Sequence, residues 1–166
     1  MAYLLQAGIQ LSLNNVDWYK LTDHNREPIS ISTELIETQS RMANGKMRKY
    51  VIDQKDNISV SWSYVPSKTS ETVDSNYSAA WLESFYNNNA GVPVYLKIVS
   101  SGIDSNTVTA EIEQTRSIGS IPSGTFITAQ TGFKLYTVFM NNFSKVIINR
   151  TKNSDYVSMS IEFTEI

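Results

Sequence analysis

A strict two-residue alternation at Ile58–Tyr64, ISVSWSY, limits the fold more than any other feature of this chain. Successive side chains of a strand point to opposite faces, so Ile58, Val60, Trp62 and Tyr64 are assigned to one face and Ser59, Ser61 and Ser63 to the other. Such a strand is half buried in an antiparallel sheet. The same pattern closes the chain, where Val157, Met159, Ile161 and Phe163 alternate with Ser158, Ser160, Glu162 and Thr164. It recurs in Ile9, Leu11 and Leu13 of GIQLSL, and in Val92, Val94, Leu96 and Ile98, with Pro93 placing that strand at an edge or its start.

Turn chemistry separates these runs. Asn44-Gly45 is the strongest hairpin signal, predicting a tight turn with both residues at positive φ. It joins ISISTELIETQSRMA to KMRKYVID. QKDN (54–57) reads as a second turn leading into ISVSWSY. One helix is expected over about 77–88, capped by Ser75 or Asn76, with Trp81 and Phe85 four residues apart and Gly91 ending it. Residues 101–132 are a weakly patterned excursion, with a strand at TVTAEIE and a turn at GSIPSG. Three strands follow, at about 133–140, 143–149 and 156–164. No internal repeat or linker interrupts the 166 residues, and 1–166 is read as a single domain. The expected fold class is mainly β: a β-sandwich or barrel with one flanking α-helix and a long projecting β-hairpin.

Composition narrows the chemistry. The absence of cysteine excludes disulfides, thiolate metal sites and a cysteine nucleophile. The only histidine, His24 in TDHNRE, lies near Asp23 and Glu27 in sequence, but a transition-metal site draws on several nitrogen or sulfur ligands. A solvated turn is the better reading, and no G-x-S-x-G elbow supports a hydrolase triad. GSIPSGT lacks the lysine of a phosphate loop. Glu111 and Glu113 share one strand face, whereas catalytic carboxylate pairs face each other across a cleft. No catalytic residue, metal or cofactor is therefore assigned, and the chain is not expected to be an enzyme. A formal net charge of -2 gives no prior for wholesale nucleic-acid or membrane binding. No segment approaches the roughly 20 apolar residues that span a bilayer. The start, MAYLLQAGIQLSLNN, lacks the basic residues and long apolar run of a signal peptide, so the sequons at Asn57, Asn76, Asn142 and Asn149 read as a by-product of Asn/Ser/Thr richness.

The densest positive feature is the cluster Arg41, Lys46, Arg48, Lys49 and Lys55 on the hairpin. Contact with phosphates or with an acidic partner is one reading, and a solvated, aggregation-resistant edge is the other. Trp81, Phe85 and Tyr86 could form a sugar platform, but helical spacing assigns them to the core face beside Trp62.

The run SRMANGKMRKYVIDQKDNISVSW, followed by SYVPS and AAWLESFYNNNAGVPVYLKIV, resembles a pattern in structural tail proteins of long-tailed bacteriophages. Its order is hairpin, Trp-bearing strand, Ser/Thr loop, one amphipathic helix, then strand. It is similar to the tail-tube fold shared by tube, distal-tail and tail-completion proteins, and covers about residues 29–99 and, more loosely, the closing strands. The resemblance implies a virion protein of the tail, assembled in the host cytoplasm and building hexameric, possibly stacked rings. It also implies contacts with other phage tail proteins, non-specific DNA passage through the channel and no membrane. The assembly arm it implies comprises Arg41, Met42, Asn44, Gly45, Lys46, Met47, Arg48, Lys49 and Tyr50. The alternative is a carbohydrate- or receptor-binding β-sandwich using exposed Tyr and Trp with Asn-rich loops.

Overall fold

The computed structural model describes residues 8–105, 111–113 and 127–166. They form a mainly β protein with a single α-helix among the described residues. In chain order the elements are β1 (Ile9–Ser12), β2 (Tyr19–Lys20), β3 (Ser30–Arg41), β4 (Met47–Pro66), a 3-10 turn (Thr69–Glu71), α1 (Ala79–Asn89), β5 (Val94–Ser105), β6 (Glu111–Glu113), β7 (Ile127–Arg150) and β8 (Asp155–Glu165). One sheet runs β2-β1-β5-β7-β8-β4-β3, antiparallel throughout, with β6 adding a parallel pairing to β7.

The alternating runs lie largely where their periodicity predicts, except that Leu13 and Val92 fall outside the strands and are exposed, and β1 is buried on both faces, Gln10 and Ser12 included. Ile58, Val60, Trp62, Val94, Leu96, Ile98, Val157, Met159, Ile161 and Phe163 are buried in one cluster with Leu82 and Phe85 of α1. The chain between β2 and β3 hydrogen-bonds to both ends of this sheet. Leu21 donates its N–H to Ile9 O (3.0 Å), and Glu27 donates to Ser61 O (2.9 Å). Beneath this seam the Trp62 indole N–H donates to Thr22 O (2.8 Å), satisfying the one polar atom of a fully buried ring. The sheet thereby curls around its core, and consecutive strands β2 and β3 come to occupy opposite edges.

Several local expectations are corrected. QKDN is no turn, because residues 54–57 continue β4. Asp56 is buried there by partners from other strands: Thr33 Oγ1 donates to it (2.8 Å), as does Tyr136 OH (3.0 Å). The segments 133–140 and 143–149 are one strand, β7, with a register shift at Asn141/Ser144 where Asn142 takes φ 41°. Tyr64 leaves the core face, because a shift between Trp62 and Val65 moves Val65 inward. Tyr64 instead stacks on Tyr156 (4.7 Å).

The helix begins after Ser78 rather than at Ser75 or Asn76, and the Ser78 hydroxyl donates to Pro66 O instead of capping. Gly91 is not at positive φ, which among the described glycines belongs to Gly45. Within the excursion, Ser101–Ser105 extend β5 and Ile127–Gly132 begin β7, while Glu111–Glu113 form β6. The rest of TVTAEIE, and all of GSIPSG, lie outside the described residues, as do the side chains of Glu111 and Glu113.

Candidate assembly interface

β4 has two environments. From Asn57 to Pro66 it pairs with β8, with β3 on its other side at residues 57–59, whereas residues 47–56 pair with β3 alone. Asp56 N–H still donates to Glu165 and Lys55 Nζ to Ile166 O at the end of the chain, so the eight residues 47–54 project beyond it, by roughly 27 Å at about 3.4 Å per residue. The result is a two-stranded ribbon with a free edge on each side among the described residues.

The ribbon's tip is built by its turn residues. Gly45 N–H donates to Met42 O (2.9 Å), and Met42 N–H to Lys46 O (2.8 Å). Gly45 alone takes positive φ, at 82°. This is a type I-like turn followed by a left-handed glycine, so the expectation of positive φ at both residues is corrected for Asn44. Asn44 acts through its side chain, whose Oδ1 accepts the Lys46 N–H (3.1 Å). Arg41 Nη1 donates to Gly45 O (3.2 Å) across the same turn.

Arg41, Met42, Asn44, Gly45, Lys46, Met47, Arg48, Lys49 and Tyr50 are all exposed. The structure thus brings them together on one ribbon and covers none of them. They do not form a uniform basic patch. Lys49 Nζ lies 2.7 Å from Glu37 Oε2, and Lys55 Nζ lies 3.1 Å from Asp53 Oδ2. The hydrogen bond from Lys49 holds the Glu37 carboxyl below its ordinary value.

The loss of alternation after Leu35 has a structural cause. The register shifts at Ile36/Glu37, where Ile36 opposes Asp53 and Glu37 opposes Val51, so Ile52 is an inserted residue on β4. Beyond such a bulge the faces of β4 are exchanged. Val51, Lys49 and Met47 take the face that continues from Ile58, and Tyr50 and Arg48 the other. Tyr50 (72% exposed) and Ile52 (62%) consequently stand in solvent beside Ile36.

A second exposed region escaped sequence reasoning. β7 pairs with β5 as far as Val138 and with β8 from there to Arg150. Residues 139–150 therefore present an edge with no strand partner among the described residues. Val146, Ile147 and Ile148 on it are each more than half exposed. The available signal was the run VII itself, three consecutive apolar residues where a half-buried strand should alternate. Lys145 on this stretch is tied to Glu83 of α1.

The remaining candidates are dispersed or internally satisfied. His24 Nδ1 accepts the Val73 N–H (3.3 Å), while Asp23 pairs with Arg26 (2.8 Å). Nearby, Asp74 accepts from Thr22 Oγ1 (2.8 Å), Asp23 N–H (2.9 Å) and Asn76 N–H (3.1 Å). Burial opposes its ionisation, but these hydrogen bonds outweigh burial and leave its carboxyl below the ordinary value. Phe85 is buried, and Trp81 and Tyr86 pack partly buried against the core. Trp81 is stacked on Tyr77 (4.7 Å) and on Phe85 (4.9 Å). A cleft of about 210 Å³ lies beside these rings, lined by residues that include Tyr19, Trp81, Ser84 and Asn88. Among the described residues, no helix is long and apolar enough to cross a membrane.

No family model matches the chain, and no curated protein does. Among solved structures it is similar to a chain described as the tail of an empty GTA particle, computed with helical refinement under C6 symmetry. The TM-score is 0.48 at 9% identity, over 95% of this chain and 89% of that chain.

Proposed function

We propose that this protein is a structural subunit of the tail of a long-tailed phage or phage-like particle, working by assembly and not by catalysis. The observation that carries the reading is the β3–β4 ribbon. A two-stranded ribbon is marginal alone, and an unprotected apolar edge invites pairing with another chain. This one holds Leu35, Ile36, Met47, Tyr50 and Ile52 in solvent and leaves both edges open. It is accounted for if a neighbouring subunit covers it.

The sheet supplies a means of ring closure. Its last four strands, β7-β8-β4-β3, are antiparallel and even in number, and free edges are offered by β3 on one side and by residues 139–150 of β7 on the other. Copies related by rotation about an axis along the strands can join β3 to the next β7 and keep the antiparallel alternation. Such an interface is heterologous and closes only as a ring. In a six-membered ring, 24 strands at about 4.8 Å give a circumference of roughly 115 Å, or about 37 Å across. Side-chain layers of about 5 Å leave roughly 27 Å open, and strand tilt widens this. The polar face of these strands presents Ser30, Ser32, Ser59, Ser61, Ser160 and Thr164. The same face carries Lys55 opposite Glu34 and Glu162 opposite Ser59, so it is a hydroxyl-rich surface whose cation is offset by carboxylates, which suits DNA passage without retention.

The test is light scattering and electron microscopy of the purified protein, alone and with partner tail proteins. Rings are expected; a chain that stays monomeric at high concentration under both conditions contradicts the proposal. The cleft beside Tyr19 and Trp81, with Ser84 and Asn88 on its lining, supports a second reading as a carbohydrate-binding module. Stacking of Trp81 against Tyr77 and Phe85 occupies the ring faces a sugar would use, which ranks this reading lower. Saturable glycan-array binding by the isolated monomer would favour it.

A further inference from the structure

From Glu37 to Lys49 the only apolar side chains larger than that of Ala43 are Met42 and Met47. They flank the turn. Met42 is held by both backbone bonds of the tip, accepting from Gly45 N–H (2.9 Å) and donating to Lys46 O (2.8 Å), and Met47 lies opposite Arg41 in the β3–β4 ladder. Met42 is 39% exposed and Met47 54%. The other two described methionines, Met140 and Met159, sit in the core at 2% and 3%. Met1 lies outside the described residues. The described thioethers are thus divided between one pair in solvent, at one place, and one pair shielded by packing. With no cysteine in the chain, no thiol competes with them for a peroxide.

We propose that Met42 and Met47 form an oxidation site that gates assembly: a peroxide converts these thioethers to sulfoxides, and a subunit so modified no longer joins the ring. This rests on the ring-forming reading and adds its regulation. In the reaction a sulfur lone pair attacks one peroxide oxygen. The S–O bond forms as the O–O bond breaks. The oxygen now on sulfur gives its proton to the departing hydroxide, which leaves as water. Sulfur loses two electrons and the peroxide gains two. The product is a polar, chiral side chain. Methionine suits an assembling tip because its unbranched thioether adapts to the surface that covers it, and apolar burial drives such a contact. A sulfoxide brings a polar oxygen into that contact, and burying it without a donor is costly. The tip has no other apolar side chain of comparable size to take over the contact. The fold is spared, because neither residue belongs to the buried cluster. Methionine sulfoxide reductases reverse the change.

The folded protein is treated with dilute hydrogen peroxide, quenched with free methionine, and its peptides are analysed by mass spectrometry. Met42 and Met47 should gain oxygen about tenfold faster than Met140 and Met159, as their exposure dictates. Equal rates at all four overturn the proposal. Protein oxidised at the two exposed positions should keep its melting temperature and lose ring formation in light scattering and electron micrographs. Treatment with methionine sulfoxide reductases should restore the rings. The Met42→Leu/Met47→Leu double variant keeps apolar bulk without a thioether, and should form rings before and after peroxide. A double variant that loses its rings on peroxide treatment overturns the proposal. So does oxidised wild-type protein that stays free of rings after full reduction, a result read independently of the variant. Untreated protein that forms no rings contradicts the ring-forming reading and the gate with it. Untreated and oxidised proteins that form rings equally contradict the gate alone.

Discussion

β4 offers a comparison within one strand. Its C-terminal half, Ile58 to Trp62, is fully buried on one face, with β8 beside it and α1 in the same core. Its N-terminal half, residues 47–55, carries Met47, Val51 and Ile52 among five charged or amide side chains, and none of the nine residues is buried. The backbone conformation is the same in both halves. They differ in composition and in what covers them, and that difference separates the part of the protein that folds from the part proposed to assemble.

The comparison is broken most severely from its buried side. Trp62→Ala removes a fully buried ring and the hydrogen bond to Thr22 O, and should cost about 3–5 kcal/mol. That is a large share of the roughly 5–15 kcal/mol of a typical domain. Chemical denaturation should show a lowered midpoint or an unfolded chain. Asp56→Ala follows. It removes the acceptor that the Tyr136 and Thr33 hydroxyls donate to and should cost about 2–3 kcal/mol in the same measurement, with Asp56→Asn less harmful because an amide still accepts.

Asp74 tests the seam. Its carboxyl titrates below its ordinary value in the folded protein, so its contribution is fully present above the unfolded pKa and is lost as pH falls through the folded one. Stability should therefore decline from about pH 4 downward, near the ordinary aspartate pKa. Asp74→Asn should cost about 1 kcal/mol at neutral pH and flatten that acid limb in pH-resolved thermal melts. The smallest effect is expected on the arm. In the Glu37–Lys49 pair Lys49 is exposed and Glu37 half-buried on an otherwise uncovered ribbon, and Glu37→Gln should lower the melting temperature only slightly.

The same contrast marks what the sequence makes legible. Where one face of a strand is buried by its own sheet, alternation names the buried residues, as it does for Ile58, Val60 and Trp62 and for all four of Val157, Met159, Ile161 and Phe163. Alternation fails wherever a bulge changes its parity. Tyr64 was assigned inward and Val65 is the residue inside; residues 35–55 lost their pattern at Ile52; Val146–Ile148 went unread around Ile148. Polar residues mislead for a different reason. QKDN resembles a turn, but Asp56 is made acceptable in mid-strand by hydroxyls 23 and 80 residues away, which no local window contains. The arm was located by Asn44-Gly45, although the turn uses those residues differently from the expected geometry. Its length could not be read, because it is set by where β8 stops.

The most direct test shortens the arm and leaves the sheet intact. Residues 38–50 are replaced by a two-residue Asn-Gly turn, and the variant is followed by thermal melting and light scattering beside wild type and Trp62→Ala. The account predicts a folded monomer that melts close to wild type, because few buried contacts are lost, and that no longer forms rings. A variant that melts as low as Trp62→Ala, or one that assembles as wild type does, would contradict it.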